Sequence, residues 1–582
     1  MLQKLFLAHV NFNYTFPFFN HIYMNKKKQS YLQLIIVLAV IILLNAIFSN
    51  FFFRIDLTKE KRYTLAKASK NLAAKVKDGM LIKVYLEGDF PAGFKRLQKA
   101  TKEMLDEFKI LSNNNIQYEF IDPLLNTTAK QSTEILQELS EIGLQATSIQ
   151  LKKEDGFSQK IIVPGAVVYY GGRKVPVNLL KSQFGQAPEA VLNTSIEQLE
   201  YEIANALRLV TIDSVKQIAF IKGNGELDKW NIIDGKTELK KYYEIDDVDL
   251  TSVPPSELNK YDGIIVPKPT LPFSDFDKFK LDQYVMHGGK VIWLVENQLA
   301  EMDSLRNSPQ YYSIAYNLGL DDLFYKFGVR INNNIIQDIQ CNTIPVLSGM
   351  KNGTPEQKLL RWMYFPVVPP TSSHPIVRGV DPIWFQFTAS IDTIPNKKIN
   401  KTVLLASSQY SRSVPAPARV DIEMARLEPD PNLFRTGGNK ILAVLLEGEF
   451  SSSFEYTFDQ TKNPALDFKS KVENNKMIVI ADGDVIRNQY SASKGQVFPL
   501  GYDRFANQEF GNKRFILNCV DYLCDDSGII EVRSKEVTLR LLDKAKIKKE
   551  KLFWQFINIG LPIVLIIVFA LANNFYRKRK YA

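Results

Sequence analysis

Two uncharged apolar stretches lie near the ends of the chain and bracket a long polar middle. Residues 31–53 read YLQLIIVLAVIILLNAIFSNFFF, and residues 553–572 read FWQFINIGLPIVLIIVFALA. At about 1.5 Å per residue, each stretch is long enough as a helix to cross a hydrocarbon core of roughly 30 Å. Gly560 and Pro562 interrupt the second stretch, as membrane helices tolerate. The pattern predicts one transmembrane helix near each end.

Basic residues stand on the outer side of each stretch, at positions 26–28 and 577–580. The positive-inside bias then predicts an inner-membrane protein with both termini in the cytoplasm and a large periplasmic domain between the helices. A cleavable signal peptide is the alternative for the first stretch, but its apolar run exceeds the usual length of roughly 7 to 15 residues. Residues 1–30 and 573–582 become a cytoplasmic leader, in which Met24 is an alternative start, and a basic cytoplasmic tail.

The charge distribution argues against nucleic-acid binding. The net charge is +10, of which the first thirty residues and the last six contribute four each, so the middle is nearly neutral. A nucleic-acid binder needs a basic face on its folded part. The three cysteines, Cys341, Cys519 and Cys524, are too few for a disulfide framework or a cysteine-rich metal site.

The length of 582 residues predicts three or four domains. After a juxtamembrane helix over 54–77, residues 78–190 alternate as β-α-β-α-β-β. This order resembles a thioredoxin fold, with Pro164 at the position of that fold's cis-proline. The turn at residues 87–93 lacks the Cys-x-x-Cys pair that thioredoxin chemistry needs. We therefore expect a thioredoxin-like binding or spacer domain without redox activity.

The next segment, residues 191–335, contains apolar strand patterns separated by helical ones, among them KQIAFIKG, YDGIIVPKP and GKVIWLVE. Repeated β-α units of this kind favour a doubly wound α/β domain with a parallel sheet. Residues 336–535 are predicted to continue this domain with β-rich insertions, and residues 536–552 to form a second juxtamembrane helix. The fold class is thus α/β, membrane-anchored at both ends.

Two loops supply the candidate ligand-binding residues. The first, Gly223, Asn224, Gly225 and Glu226, follows the first strand of the second sheet and could present N–H groups to an anion. It lacks a nucleotide-binding spacing, so a tight turn is the alternative. The second loop contains Asp482 and Asp484 after the strand MIVIA. These carboxylates could hold a cation, but no further acid follows at EF-hand spacing, so a solvated turn is the alternative.

Catalytic motifs are missing from the sequence. It contains no G-x-S-x-G elbow, H-E-x-x-H pair or P-loop. Of the four histidines, only His287 and His374 lie outside the leader, and both fit structural roles better than catalytic ones. We expect no enzyme activity, no cofactor and no metal site.

Several segments resemble the GldG family of gliding-motility-associated ABC transporter auxiliary proteins of Bacteroidota. They are RIDLTKEKRYTLAKAS, LDQYVM with GGK and VIWLVE, ADGD with IRN, LGYDRFANQEFGNKRFILNCVDYL and KEVTLRLLDKAKIKKEK. The resemblance implies an inner-membrane subunit that works with a permease subunit and a separate cytoplasmic ATPase, and leaves a homo-oligomer within the complex open. It also implies a middle domain similar to glutamine-amidotransferase-like sheets and to a domain of an intraflagellar-transport protein. Related sequences tend to have His where this chain has Asn224.

These observations leave three hypotheses. The leading one is a non-enzymatic extracytoplasmic auxiliary subunit of an ABC-type transporter complex required for gliding motility and associated secretion. The second is a saccharide- or peptide-binding periplasmic receptor tethered to the inner membrane. The third is a hydrolase that uses Asp482 and Asp484.

Overall fold

The computed structural model describes residues 31–32, 34–43, 64–153, 156–181, 187–212, 215–306, 308–351, 354–435, 437–458, 467–534 and 544–581. It separates into two units, residues 1–64 and residues 65–582. In the first unit, Leu34–Leu43 is a short apolar helix. The rest of the predicted span, 44–53, and the predicted leader, 1–30, lie outside the described residues.

In the described part of the chain, one helix is long and apolar enough to cross a membrane: Lys549–Arg579, with a mean hydropathy of 2.4. This is compatible with membrane anchoring by the second predicted span. The helix is continuous through a π-helical turn at Phe556–Gly560. Pro562 lies just beyond that turn, and since proline has no N–H it accounts for the local departure from α-helical hydrogen bonding.

The helices of the second unit follow the apolar periodicity of the sequence. Helix α2, for example, buries Leu97, Thr101, Leu105 and Phe108 at intervals of three and four residues. The helices are α1 Lys67–Lys75, α2 Ala92–Leu111, α3 Ala129–Ile142, α4 Pro188–Thr211, α5 Lys229–Leu239, α6 Pro255–Leu258, α7 Asp275–Met286, α8 Asp321–Phe327, α9 Pro431–Phe434, α10 Asn512–Cys524, α11 Lys544–Gln555 and α12 Leu561–Tyr581.

The first sheet has the strand order β2-β1-β5-β6, with β1 parallel to β2 and the other two pairs antiparallel. Its strands, together with a separate ribbon of β3 and β4, are β1 Met80–Val84, β2 Ile116–Phe120, β3 Thr147–Lys153, β4 Gly156–Ile162, β5 Gly165–Tyr170 and β6 Arg173–Asn178. A tight turn at Gly171 and Gly172 joins β5 to β6, and both glycines have positive φ. The sequence pattern missed β4 as a strand of its own. The peptide bond before Pro164 is trans, unlike the cis-proline that a thioredoxin fold has at this position.

The second sheet contains a core of five parallel strands. They run in the order β19-β10-β9-β7-β8, and β18, β15 and β11 extend the sheet beyond β19 through antiparallel pairs, with β16 pairing to β18. The longer strands are β7 Gln217–Lys222, β8 Glu244–Asp249, β9 Gly263–Pro267, β10 Lys290–Leu294, β11 Val329–Ile331, β12 Asn334–Asp338, β13 Cys341–Lys351, β14 Thr354–Val368, β15 Ile391–Thr393, β16 Ile399–Ala406, β17 Ser411–Pro415, β18 Ile441–Ser451 and β19 Lys471–Ile480.

Helices cover both faces of this sheet, as the apolar strands require. Residues of α7 and α8 pack on one face, and residues of α5 and α10 pack on the other. The expected α/β class is therefore correct.

The β-rich additions lie beside the second sheet. A long hairpin, β13 with β14, and the pair β12 with β17 surround an aromatic core that includes Trp362, Tyr364, Phe365, Trp384 and Phe387. The remaining short strands are Gln298–Leu299, Gln310–Tyr312, Ile314–Ala315, Ile383–Trp384, Arg419–Asp421, Tyr490–Ser491, Gln496–Val497, Tyr502–Asp503 and Gln508–Glu509.

Candidate functional site

The candidate site lies at the carboxyl edge of the parallel strands. In chain order the five strands run β7, β8, β9, β10, β19, and in space they run 2-1-3-4-5. Open sheets of this kind bind ligands at the carboxyl edge, beside the point where the strand order reverses. Here that point lies between β7 and β9. Both loops predicted from the sequence leave this edge, one after β7 and one after β19.

The glycine loop, residues 223–226, folds back on itself. Gly223 and Gly225 have φ of +118° and +75°, which only glycine adopts without strain. The Asn224 N–H donates to Glu226 Oε2 at 2.8 Å. The Glu226 carboxylate thus accepts the hydrogen bond of the Asn224 N–H, which was expected to be free to bind an anion.

The glycine loop also packs tightly against the segment that follows β9. The Asn224 carbonyl accepts from the N–H groups of Thr270 and Leu271, and the Thr270 hydroxyl donates to the Gly225 carbonyl at 2.8 Å. Asn224 is buried, and neither its Oδ1 nor Glu226 Oε1 has a hydrogen-bond partner among the described residues. Burial raises the pKa of Glu226. The alternative of a tight turn describes this geometry, and ligand binding by these residues stays a prediction.

The aspartate loop, residues 482–484, is buried. Asp482 has no exposed surface and Asp484 is 3% exposed, so the expected solvated turn was wrong. The reason is the ammonium of Lys268, which follows β9 and contacts Asp484 Oδ2 at 2.7 Å, Glu301 Oε1 at 2.7 Å and Glu296 Oε1 at 3.2 Å. Together with Arg487, which lies 3.1 Å from both Asp484 and Glu301, these six side chains form the charge network.

The backbone around Lys268 is adapted to this contact. Lys268 has φ +54°, an uncommon conformation for a residue other than glycine. Gly483 lies against the Lys268 side chain so closely that a Cβ at this position would overlap it. The loop therefore requires glycine between its two aspartates.

The charge network contains four carboxylates and two cations. Burial opposes ionisation of Asp484, but Lys268 and Arg487 outweigh it and hold the pKa of Asp484 below its usual value. Burial, reinforced by the neighbouring aspartate charges, raises the pKa of Glu296 and Asp482 well above their usual values. The network thus contains one carboxylate that favours the ionised form, Asp484, and two that favour the protonated form, Glu296 and Asp482.

Three of these carboxylates, from Glu296, Asp482 and Asp484, lie close enough to share one cation. The Lys268 ammonium already contacts two of them, and the third is satisfied by N–H groups. Asp482 accepts from the main-chain N–H of Asp484 at 2.7 Å and of Gln386 at 2.6 Å. A metal ion at this position would have to displace Lys268.

A cleft of about 570 Å³ opens beside the charge network. Asp484, Arg487 and Glu301 line it, as do residues 343–347 of the edge strand β13 and several aromatic side chains, among them Phe365, Trp384, Phe387, Tyr490 and Phe505. Its volume lies within the range of roughly 300 to 1,000 Å³ that is typical of small-molecule sites.

Sequence reasoning found two members of the charge network and missed Lys268, Glu296, Glu301 and Arg487. A signal for two of them was present in the sequence. Lys268 directly follows the apolar strand β9, and Glu296 follows the apolar strand β10 after one residue. The pairing of β10 with β19 could not be read from the sequence, since about 180 residues separate the two strands.

The two histidines outside the leader make structural contacts, as expected. His287 contacts the Gln283 carbonyl and Asp467, and His374 packs edge-on against Tyr522. Burial lowers the pKa of His374.

Comparisons with known proteins match two family models. Residues 59–169 match a domain of unknown function, and residues 215–519 match a family described as ABC-type uncharacterized transport system. An uncharacterized protein of Borreliella burgdorferi is 22% identical over 576 residues, covering 96% of this chain and all of that protein.

Two solved structures show weak likeness. The mmIFT52 N-terminal domain has a TM-score of 0.31 at 12% identity, covering 53% of this chain and 98% of that chain. PurLQS from Thermotoga maritima has a TM-score of 0.20 at 12% identity, covering 53% of this chain and all of that chain. Neither score establishes a common fold. The family match over residues 215–519 spans more than half of the sequence and contains the whole charge network, and on this match the chain belongs to the family described as ABC-type uncharacterized transport system.

Proposed function

We propose that this protein is a non-enzymatic extracytoplasmic auxiliary subunit of an ABC-type transporter complex that serves gliding motility and associated secretion. Family membership makes it an auxiliary component of an ABC-type transport system and implies association with transporter components. The resemblance to the GldG family supports the finer role, with a permease subunit and a cytoplasmic ATPase as partners. Both termini would lie in the cytoplasm.

One packing contact carries this proposal. Ile529 and Val532, from the last described turn before the C-terminal membrane segment, are buried in the same core as Leu65, Leu72 and Val76, which follow the N-terminal apolar segment. Residues near both ends of the second unit's body therefore share one core with the first sheet. This arrangement suits a body that is tethered at both ends to one membrane.

Ion pairs join helix α4, beside the first sheet, to helix α10 of the second sheet and to the residue that follows α10, and the pairs of Arg208 are buried. Arg208 lies 3.3 Å from Asp521 and 3.2 Å from Asp525, and Arg514 lies 3.5 Å from Glu202. Because breaking a buried ion pair is costly, relative movement of the two sheets is opposed here. Such a connection supports a role in which movement of the membrane partners is transmitted to the second sheet.

The basic residues around the second membrane segment are nearly balanced. Five lysines precede it, at positions 544, 546, 548, 549 and 551, and four basic residues follow it. The positive-inside bias at this segment is thus weaker than the C-terminal cluster alone suggests. Protease added to intact spheroplasts tests the orientation, and we expect cleavage of the body with both termini protected.

The subunit role is tested by purifying the tagged full chain from native membranes in mild detergent. We expect an ATPase and a multispanning protein to copurify, and a matched single-pass membrane protein with the same tag to bring down neither. Recovery of the chain without both partners would contradict the proposal.

We also propose that residues 78–190 form a thioredoxin-like domain without a Cys-x-x-Cys pair, followed by an amidotransferase-like doubly wound domain over 191–335 that continues to 535. The strand order β2-β1-β5-β6 supports the first assignment, and the 2-1-3-4-5 order supports the doubly wound one.

A second candidate function is a saccharide- or peptide-binding receptor, which the cleft of about 570 Å³ favours. A ligand at 100 times its Kd stabilises a protein by about 2.7 kcal/mol. A thermal-shift screen of the full chain with oligosaccharides and peptides therefore tests this function. The absence of any stabilising compound would oppose it.

A further inference from the structure

The cleft beside the charge network has hydrogen-bond donors without acceptors. Arg504 lines it, is exposed, and lies over the rings of Phe498 and Phe505 at 5.7 and 4.7 Å. Among the described residues no carboxylate pairs with this guanidinium. The indole N–H of Trp384, another lining residue that is 6% exposed, also has no acceptor there.

The carboxylates that line the cleft are, by contrast, all engaged. Asp303 pairs with Arg306 and Glu423 pairs with Arg426, each at 3.1 Å. Asp503 accepts from the Asn342 amide at 2.8 Å and from the Phe505 N–H at 2.9 Å. Glu301 and Asp484 belong to the charge network. The cleft therefore has one guanidinium without a carboxylate partner while its own carboxylates are engaged, and an anionic group of a ligand would satisfy that guanidinium.

Apolar side chains and main-chain groups form part of the remaining wall. Ile344, Val346, Phe365 and Phe387 are buried side chains that line the cleft. Strand β13 is at the edge of its sheet, and the Leu347 carbonyl already accepts from Arg426 at 2.7 Å, so main-chain groups on this edge are reachable. Pro345 lacks an N–H and prevents a continuous added strand.

We propose that the cleft binds a peptide segment in which a carboxylate stands next to a large apolar side chain. Arg504 is the carboxylate-binding residue, held in place by its two aromatic neighbours, and the apolar wall takes the side chain. The edge of β13 supplies single main-chain contacts. This inference deepens the receptor role proposed above and rests on it, but not on the subunit role.

The same inventory disfavours a neutral saccharide. A neutral saccharide has no charge to place against Arg504, whereas the carboxylate of an acidic peptide can pair with this guanidinium.

The test uses the full chain in detergent and two probes that differ in one group: acetyl-Ala-Ala-Phe with a free carboxylate, and the same peptide with a carboxamide. Binding is measured by saturation-transfer NMR and by competition. We expect the acid to bind at least 10-fold more tightly than the amide, and more tightly than N-acetylphenylalanine.

Arg504→Gln should remove this preference, whereas the matched Arg306→Gln, which changes an arginine already paired with Asp303, should change binding less than 3-fold. Unchanged melting temperatures of both variants establish that they are folded. Equal binding of acid and amide, undiminished binding by Arg504→Gln, or tighter binding of trigalacturonate than of the peptide would each overturn the inference. Copurification of the transporter partners is unaffected by any of these outcomes.

Discussion

The glycine loop and the aspartate loop leave the same edge of the same sheet, but the charge of only one of them is compensated by another segment. The glycine loop, residues 223–226, satisfies its own Asn224 N–H with Glu226 and packs against the segment after β9. The aspartate loop, residues 482–484, receives the ammonium of Lys268 from that same segment. The segment after β9 therefore packs against the glycine loop and supplies the cation that compensates the charge of the aspartate loop.

The amino-acid composition of a loop is a poor guide to its solvent exposure. A loop with two aspartates suggests a solvated turn, yet it is the more buried of the two because Lys268, from the segment after β9, compensates its charge. Loss of that cation should therefore affect the aspartate loop far more than any change in the glycine loop.

The largest expected effect comes from Lys268→Met. This change leaves four buried or half-buried carboxylates with Arg487 alone, and breaking a buried ion pair in this way costs about 3–5 kcal/mol in the free energy of unfolding. Urea unfolding of the full chain, followed by tryptophan fluorescence, measures it. Lys398→Met, at an exposed pair with Glu449, is the control and should have little effect. Equal effects of the two changes would show that the charge network does not hold the edge together.

Gly225→Ala tests how tightly the glycine loop is packed. The residue has φ +75°, and an added Cβ would overlap the Thr270 hydroxyl and Leu271. We expect a loss of about 3 kcal/mol from strain and overpacking together. Gly171→Ala, at a positive φ with open space around it, is the matched control and should cost about 1 kcal/mol. Similar losses at both positions would mean that the glycine loop is not tightly packed.

The two aspartates should respond differently to the same substitution. Asp484→Asn removes a charge that Lys268 and Arg487 stabilise and should cost about 2 kcal/mol, as for hydrogen bonds to charged groups. Asp482→Asn replaces a carboxyl that favours its proton and loses one of two accepted N–H bonds, so it should cost about 1 kcal/mol. Urea unfolding at neutral pH gives both values, and the reverse ranking would refute the assignment of the ionised carboxylate to Asp484.

The smallest expected effect is a change in pH dependence for Glu296→Gln. The raised pKa of Glu296 in the folded chain gives stability that is complete below the unfolded pKa, near 4.3, and is lost as the pH rises through the folded pKa. Glutamine removes this loss, so the stability of the variant relative to the natural chain should increase as the pH is raised from about 4 to 8. A constant difference over this range would contradict the raised pKa.

Much of the architecture was readable from local patterns. The apolar strands β7, β9 and β10 and the hairpin turn at Gly171 and Gly172 follow from periodicity and glycine placement alone. Strand β4 was missed because the pattern gave no boundary between it and β5.

Local sequence patterns indicate apolar segments near both ends, an α/β body and two loops with unusual composition, because these features depend on residues that are near neighbours. The fold alone shows that Lys268 neutralises the aspartate loop, that Ile529 and Val532 pack in one core with Leu72, and that Arg504 lines a cleft and has no carboxylate partner among the described residues. Those outcomes depend on strands paired across about 200 residues and on helices joined across more than 300, and burial there decides which charges ionise. Long-range pairing is set by the packing of whole faces, which no single segment specifies.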